Sequence, residues 1–209
     1  MRMNIPYFIQ PDNTHCFQAC IKMALKHFFP EKNFSYEELD RISDKKEGKW
    51  SWVSAAFVEL KKMGLDVSVY SDFDYTAFSK RGADYIREKF SKEAADKNLE
   101  MTDIDSEMKN ASKMVKTGIY NNKIFELDDV KNWFEKGYLE ILVVNSNILN
   151  NKSGFNGHAV VLTGIEDNKF LVHDPSMIYG SANREVKKDI FTNALFYPGK
   201  ERDAYLIKK

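Results

Sequence analysis

Apolar residues at Phe17, Ile21, Ala24, Leu25 and Phe28 recur at helical spacing and predict one helix, preceded by the turn-formers Asp12, Asn13 and Thr14 and ended by Pro30. A second helix start is written at Ser35, where Glu38 completes a capping box and Phe34 can close on Leu39 as a hydrophobic staple. The stretch WSWVSAAFVELKKMGLDVSVY predicts a helix closed by Gly64 and a strand with Leu65, Val67 and Val69 on one face. From about Asp74 to Lys116 charges of both signs are dense. There Ile104, Met108, Ala111 and Val115 share one helical stripe, which predicts a helical insertion or lid at about 74–116 within a single domain spanning 1–209. The short helix LDDVKNWFEK, stopped by Gly137, leads into the strand YLEILVVN. The polar loop SNILNNKSGFNG joins that strand to GHAVVLTGI, and the turn EDN joins GHAVVLTGI to KFLVHDP. The last third therefore reads as an antiparallel meander, completed by a helix near Lys188 to Leu195 and a strand at AYLIKK.

Composition narrows the function classes. Lys plus Arg equals Asp plus Glu at 31 each, so no basic field exists to hold a phosphate backbone, and nucleic acid is not an expected partner. No apolar run reaches the length of a membrane span or a signal-peptide core, so no membrane association and a cytoplasmic location are expected. The two cysteines, Cys16 and Cys20, stand one helical turn apart, where a relaxed disulfide cannot close. Trp50, Trp52, Phe57, Met108 and Met114 read as core positions, and no cofactor is expected. The mixed charges of SKRGADYIREKFSKEAADKNLE read as a solvated helix face.

The remaining polar residues suit nucleophilic chemistry. A cysteine nucleophile must be held as thiolate against an unperturbed pKa near 8.5, and Cys16 lies in a first helical turn, where unsatisfied amides and the helix dipole favour negative charge. Cys20, one turn deeper, reads as packing. His15 flanks the thiol in sequence but points off another side of the helix, and His27 lies near the helix end, where a cation is comfortable. His158 begins an apolar strand directly after Gly157 and is the best candidate base. Asp174 ends the strand that the EDN turn pairs with the His158 strand, so it can orient the imidazole, while His173 faces the other side of the sheet. Gln10 can return over Cys16 across the turn and supply, with the Cys16 amide, an oxyanion hole. Singly, each residue is more often packing or surface. The conjunction of four roles in four fitting places favours catalysis. A metal site built from His15, Cys16, Cys20 and one late histidine is a weaker reading, because no second ligand pair follows, and none is expected.

The blocks IPYFIQPDNTHCFQAC, LDDVKNWFEKGYLEILVVN and GHAVVLTGIEDNKFLVHDP resemble the signature blocks of the C39-like cysteine peptidases, a branch of the papain-like superfamily. The resemblance implies an α+β, papain-like fold in which an early helical portion bearing Cys16 packs on a late antiparallel sheet bearing His158 and Asp174. It implies Cys16, His158, Asp174 and Gln10 as the catalytic set and hydrolysis of a peptide or isopeptide bond in a peptide or protein substrate. An acyltransferase or transpeptidase using the same thioester chemistry, and an inactive peptide-binding module, are the alternatives. The family usually has aspartate before the nucleophile and glycine after it; here His15 and Phe17 stand there, and Phe17 is expected to narrow the cleft. No transporter segment accompanies the blocks, so processing of double-glycine leaders is not implied.

Overall fold

The computed structural model describes all 209 residues. The first helices are α1 (Cys16–Phe28), α2 (Tyr36–Ile42) and α3 (Val53–Lys62), followed by strand β1 (Asp66–Ser71). Four helices come next, α4 (Tyr75–Arg81), α5 (Ala83–Lys89), α6 (Lys92–Met101) and α7 (Ile104–Lys116), then strand β2 (Tyr120–Asn122) and helix α8 (Leu127–Glu135). The rest runs β3 (Leu139–Asn145), α9 (Ser146–Leu149), β4 (Gly157–Glu166), β5 (Lys169–Asp174), β6 (Ser181–Lys187), α10 (Lys188–Leu195) and β7 (Asp203–Lys208). Local chemistry sets several of these bounds. Ser35 and Glu38 form the expected capping box at α2, and after α3 the chain turns at Gly64, whose φ of 89° suits a residue without Cβ.

All seven strands form one sheet in the order β2-β1-β7-β3-β4-β5-β6, antiparallel except for the β1–β2 pair. The sheet is thus larger than the expected late meander. The C-terminal strand β7 lies between β1 and β3 and joins the early and late parts of the chain into one layer. Alternation along the strands divides the core between two faces. Ala159 and Val161 of β4 join α1, α3 and the segment after β1 on one side, while Val160 and Leu162 join α8 and α10 on the other. Strands β2 and β6 were not expected from the sequence. Both are edges, and in β6 only Val186 is buried, so its polar pattern SANREVK resembles a loop. The loop SNILNNKSGFNG contains the single-turn α9.

The segment 74–116 contains helices α4 to α7 and does not stand apart. Phe78, Ile86, Ala95, Ala111 and Met114 belong to the same buried cluster as Leu25 and Phe57. The inward face of α7 is Glu107, Asn110, Ala111 and Met114, rotated from the expected stripe, because two polar residues find partners inside. The Trp52 amide donates to Glu107 Oε1 at 3.0 Å, and Asn110 Nδ2 donates to Asp44 Oδ2 at 2.8 Å.

One buried group has no such partner. Glu140, the second residue of β3, is fully buried between Leu162 and Leu206, with both carboxylate oxygens unpaired. Burial pushes its carboxyl well above the usual range, so it is protonated in the folded chain. The proton-linked part of its cost is absent below the unfolded carboxyl pKa and grows as pH rises above it, while the cost of burying an unpaired carboxyl remains at every pH. Glu140→Leu is therefore expected to stabilise the fold at neutral pH by at least about 1–3 kcal/mol and to stabilise it less near pH 4. Thermal melts at the two pH values check this; a lower midpoint for the variant at pH 7 would show that Glu140 has a partner role.

Candidate active site

The site begins with how the chain enters α1. Residues 1–10 run over the β4–β5 hairpin: the Met3 amide donates to Thr163 O at 2.8 Å and the Gln10 amide to Pro175 O at 2.9 Å. The Tyr7 hydroxyl donates to Asp174 O, and His173 Nε2 to Ile5 O, each at 2.8 Å. A turn then reverses the chain. Asp12 Oδ1 accepts the Thr14 amide at 2.7 Å and meets His15 Nδ1 at 2.7 Å, while His15 Nε2 reaches Asp40 Oδ2 at 3.3 Å. His15 therefore ties the turn to α2 and does not turn toward Cys16.

With both ends of the turn anchored, Cys16 becomes the first residue of α1, partly exposed, while Cys20 is fully buried one turn below. Against them lies the mouth of the β4–β5 hairpin. The β-bulge near Thr163 leaves Val161 opposite His173 and Leu162 opposite Val172. By alternation His158 shares a face with Asp174, and His173 takes the opposite face. His158 Nε2 lies 2.8 Å from Asp174 Oδ1, which leaves the other ring nitrogen, Nδ1, for the hydrogen bond to Cys16. His173 is occupied on both nitrogens, donating to Ile5 O and accepting the Asn183 amide at 2.9 Å.

Asp174 is itself held from three directions. The Ser176 amide donates to Oδ1 at 3.0 Å, and Arg184 Nη1 donates to Oδ2 at 2.8 Å. Arg184 is fixed in turn by Leu149 O at 2.5 Å and Asn150 Oδ1 at 2.9 Å. The loop after Asp174 is tight enough that a Cβ at Gly180 would fall 2.5 Å from Asp174 O, so only glycine fits. By contrast a Cβ at Gly157 would merely touch the Phe155 ring at 3.4 Å, and close approach is not what that glycine provides.

These contacts set the protonation. Burial opposes ionisation of Cys16, but the hydrogen bond and charge of His158, with the amides of Ala159 and Phe17, outweigh it and hold the thiol below its ordinary range. Burial likewise opposes the charged form of His158, yet Asp174 and Cys16 raise its pKa to about 10. Asp174 stays below the usual carboxylate range despite burial, through His158, Ser176 and Arg184. Cys20, with burial and the nearby negative charges of Cys16 and Asp174 acting together, is pushed well above the ordinary thiol value. The Cys16 and His158 shifts both favour the thiolate–imidazolium form of the pair, and such a pair can attack a carbonyl carbon and return a proton to a leaving group. Gln10 is buried, with its backbone amide anchored on Pro175 O and its side-chain acceptor Oε1 unpaired, and it is not among the residues that line the cleft at Cys16. No three His, Cys, Asp or Glu side chains are disposed to hold a metal ion.

Cys16 and His158 open into a cleft of about 490 Å³. Phe17 lines it and stands edge-on to Tyr205, with ring centres 5.8 Å apart. Trp50, read from the sequence as core, is exposed at the cleft, while Trp52 packs against the core and also lines the cleft, and Phe90, Ala94, Lys97 and Asn98 bring the α5–α6 part of segment 74–116 to its rim. Sequence reading missed Arg184, which holds Asp174, and Asp203, which with Glu201 puts carboxylates in the cleft wall. Arg184 lies on a polar edge strand and its target is ten residues away, so no local pattern signals it.

The family model described as Peptidase C39 like matches residues 5–192. Among solved structures the chain is similar to a double glycine motif protease from an AMS/PCAT transporter, in complex with its leader peptide. That match has 14% identity and a TM-score of 0.51, over 99% of this chain and 93% of that one. It is also similar to a Bacillus anthracis protein described as a C39-like peptidase, at 12% identity and a TM-score of 0.52, over 99% of this chain and 95% of that one. Likeness at such identities shows the fold. No curated protein matches. No helix is long and apolar enough to cross a membrane.

Proposed function

Because the chain belongs to the Peptidase C39 like family, we propose that it is a cysteine peptidase that hydrolyses a peptide or isopeptide bond. The observation that carries this reading is the line of contacts from Asp174 through His158 to Cys16, with Cys16 at a helix start and open to the cleft. In this mechanism Cys16 Sγ attacks the carbonyl carbon as thiolate. The negative oxygen of the tetrahedral intermediate is held by the Cys16 backbone amide and the Gln10 side-chain amide. His158 gives its Nδ1 proton to the departing amine as the C–N bond breaks, which leaves a thioester on Cys16. Water then attacks the thioester, His158 takes the proton from that water, and the carboxylic acid leaves as the thiolate re-forms. Asp174 keeps its charge throughout, orients the ring through Nε2 and steadies the imidazolium; Arg184 and Ser176 position Asp174. Such chemistry needs Cys16 as a free thiol, which suits the reducing cytoplasm.

A peptide-library digestion tests the reading. The unaltered protein is expected to release new amino termini from a subset of peptides, and the Cys16→Ala protein, folded to the same circular dichroism spectrum, from none. Equal cleavage by both proteins, or acyl transfer to added amines with no hydrolysis, would overturn it.

A further inference from the structure

The cleft beside Cys16 contains a carboxylate that the chemistry above does not use. Asp203 opens β7 opposite Ser71 of β1, and a hydrogen bond from the Ser71 side chain occupies one side of its carboxyl. Oδ1 is buried and has no partner. The basic side chains around it are engaged elsewhere. Lys89 lies 3.6 Å from Glu201, Lys97 pairs with Glu100 at 3.3 Å, and Arg202 pairs with Glu126 at 2.8 Å. Lys200 sits over the Phe155 ring, 4.9 Å from its centre. Aromatic side chains share the cavity of Asp203: Trp52, Phe73, Tyr75 and Phe90 line it as Asp203 does. They brace one another, with Trp52 edge-on to Phe73 at 5.2 Å and Phe73 edge-on to Tyr75 at 4.9 Å.

A carboxylate that shares a cavity with mutually braced aromatic rings is the chemistry that receives an organic cation. The ring faces attract the charge and cover the aliphatic stem, and the carboxylate supplies the counter-charge. We propose that the part of the cleft floored by Asp203 is a subsite for an arginine or lysine side chain of the peptide presented to Cys16, a proposal that rests on Cys16 being the nucleophile. The electrostatics agree: burial first, then the like charges of Glu201 and Asp72, push Asp203 up to about 7. A bound guanidinium would supply the counter-charge this carboxyl lacks, and a guanidinium loses less hydration than an ammonium on entering such a site. A purely structural role for Asp203, anchoring Ser71, accounts for one oxygen and leaves Oδ1 without a function.

Peptidyl chloromethyl ketones that carry arginine or its neutral isostere citrulline, at either of the two positions before the ketone, test the subsite. Each labelling rate of Cys16 is divided by the iodoacetamide rate of the same protein. At one position arginine is expected to label faster than citrulline by about tenfold, the equivalent of one charge-assisted hydrogen bond, and the ratio is expected to fall to within about twofold of unity in Asp203→Asn. Asparagine keeps the acceptor for Ser71, and the comparison in the unaltered protein stands without the variant. Fast iodoacetamide labelling of Cys16 with no arginine preference, or with a preference that survives Asp203→Asn, would overturn the subsite and leave the cysteine chemistry standing. Slow iodoacetamide labelling of Cys16 would overturn both.

Discussion

Cys16→Ala is expected to reduce peptide hydrolysis to background, a loss on the order of 10⁶ in kcat, as when a nucleophile is deleted from a working triad. The size of the effect follows from the site having one thiol in reach of His158; Cys20 is fully buried and has its pKa raised. Alkylation separates the two before any substrate is known. Cys16 is expected to react with iodoacetamide faster than Cys20 by roughly two orders of magnitude or more near neutral pH, since the thiolate is the reacting form. The pH dependence has a definite sign. An ordinary thiol loses reactivity steadily as pH falls below its pKa, whereas the fall in the Cys16 rate is expected to begin at a lower pH than for an ordinary thiol. At the alkaline end, turnover is expected to decline as His158 loses its proton near pH 10. The same shift is a stability effect. With the His158 pKa raised from 6.5 to about 10, its contribution is complete below pH 6.5 and is lost as pH climbs through about 10. Mass mapping of alkylated peptides across pH 5 to 9 makes the measurement; equal rates at the two cysteines would reject the thiolate assignment.

Asp174→Asn is expected to lower turnover by up to about 10⁴-fold while the protein remains folded. The carboxylate accepts from His158 Nε2 at 2.8 Å and so selects the ring orientation that leaves Nδ1 toward Cys16; asparagine removes the charge that steadies the imidazolium. It also leaves the Arg184 guanidinium beside a neutral amide, so a lower melting temperature should accompany the kinetic loss. The imidazolium would then deprotonate more readily, and the alkaline limb of the pH–rate profile should move to lower pH. His173→Gln is the control. Its effect is expected on stability, about 1–3 kcal/mol from the bonds to Ile5 O and the Asn183 amide, with turnover nearly unchanged. A dead His173 variant with a nearly normal Asp174 variant would mean that His173 and not Asp174 serves the site.

Helices α1, α2 and α10 and strands β3, β4 and β5 were readable because each carries its own face of apolar residues, and α2 a complete capping box. Edges were not readable: β2 and β6 bury almost nothing, and a strand held by backbone pairing alone leaves little trace in side-chain pattern. The placement of α7 was legible only to within a rotation, because Glu107 and Asn110 turn inward toward partners that lie far away in sequence.

The candidate site divides along the same line. The residue types, the start of α1 at Cys16 and the strand ending in Asp174 are local facts, and the sequence by itself determined them, because caps, turns and side-chain alternation act over a few residues. Only the tertiary structure decided that a bulge near Thr163 keeps His158 and Asp174 on one face, that Arg184 reaches across from β6, and that Pro175 anchors Gln10. It alone decided that β7, entering between β1 and β3, carries Asp203 into the cleft beside Cys16. Strand order and paired charges depend on which distant surfaces close on one another, and that choice minimises buried unpaired polar groups over the whole chain rather than within any one segment.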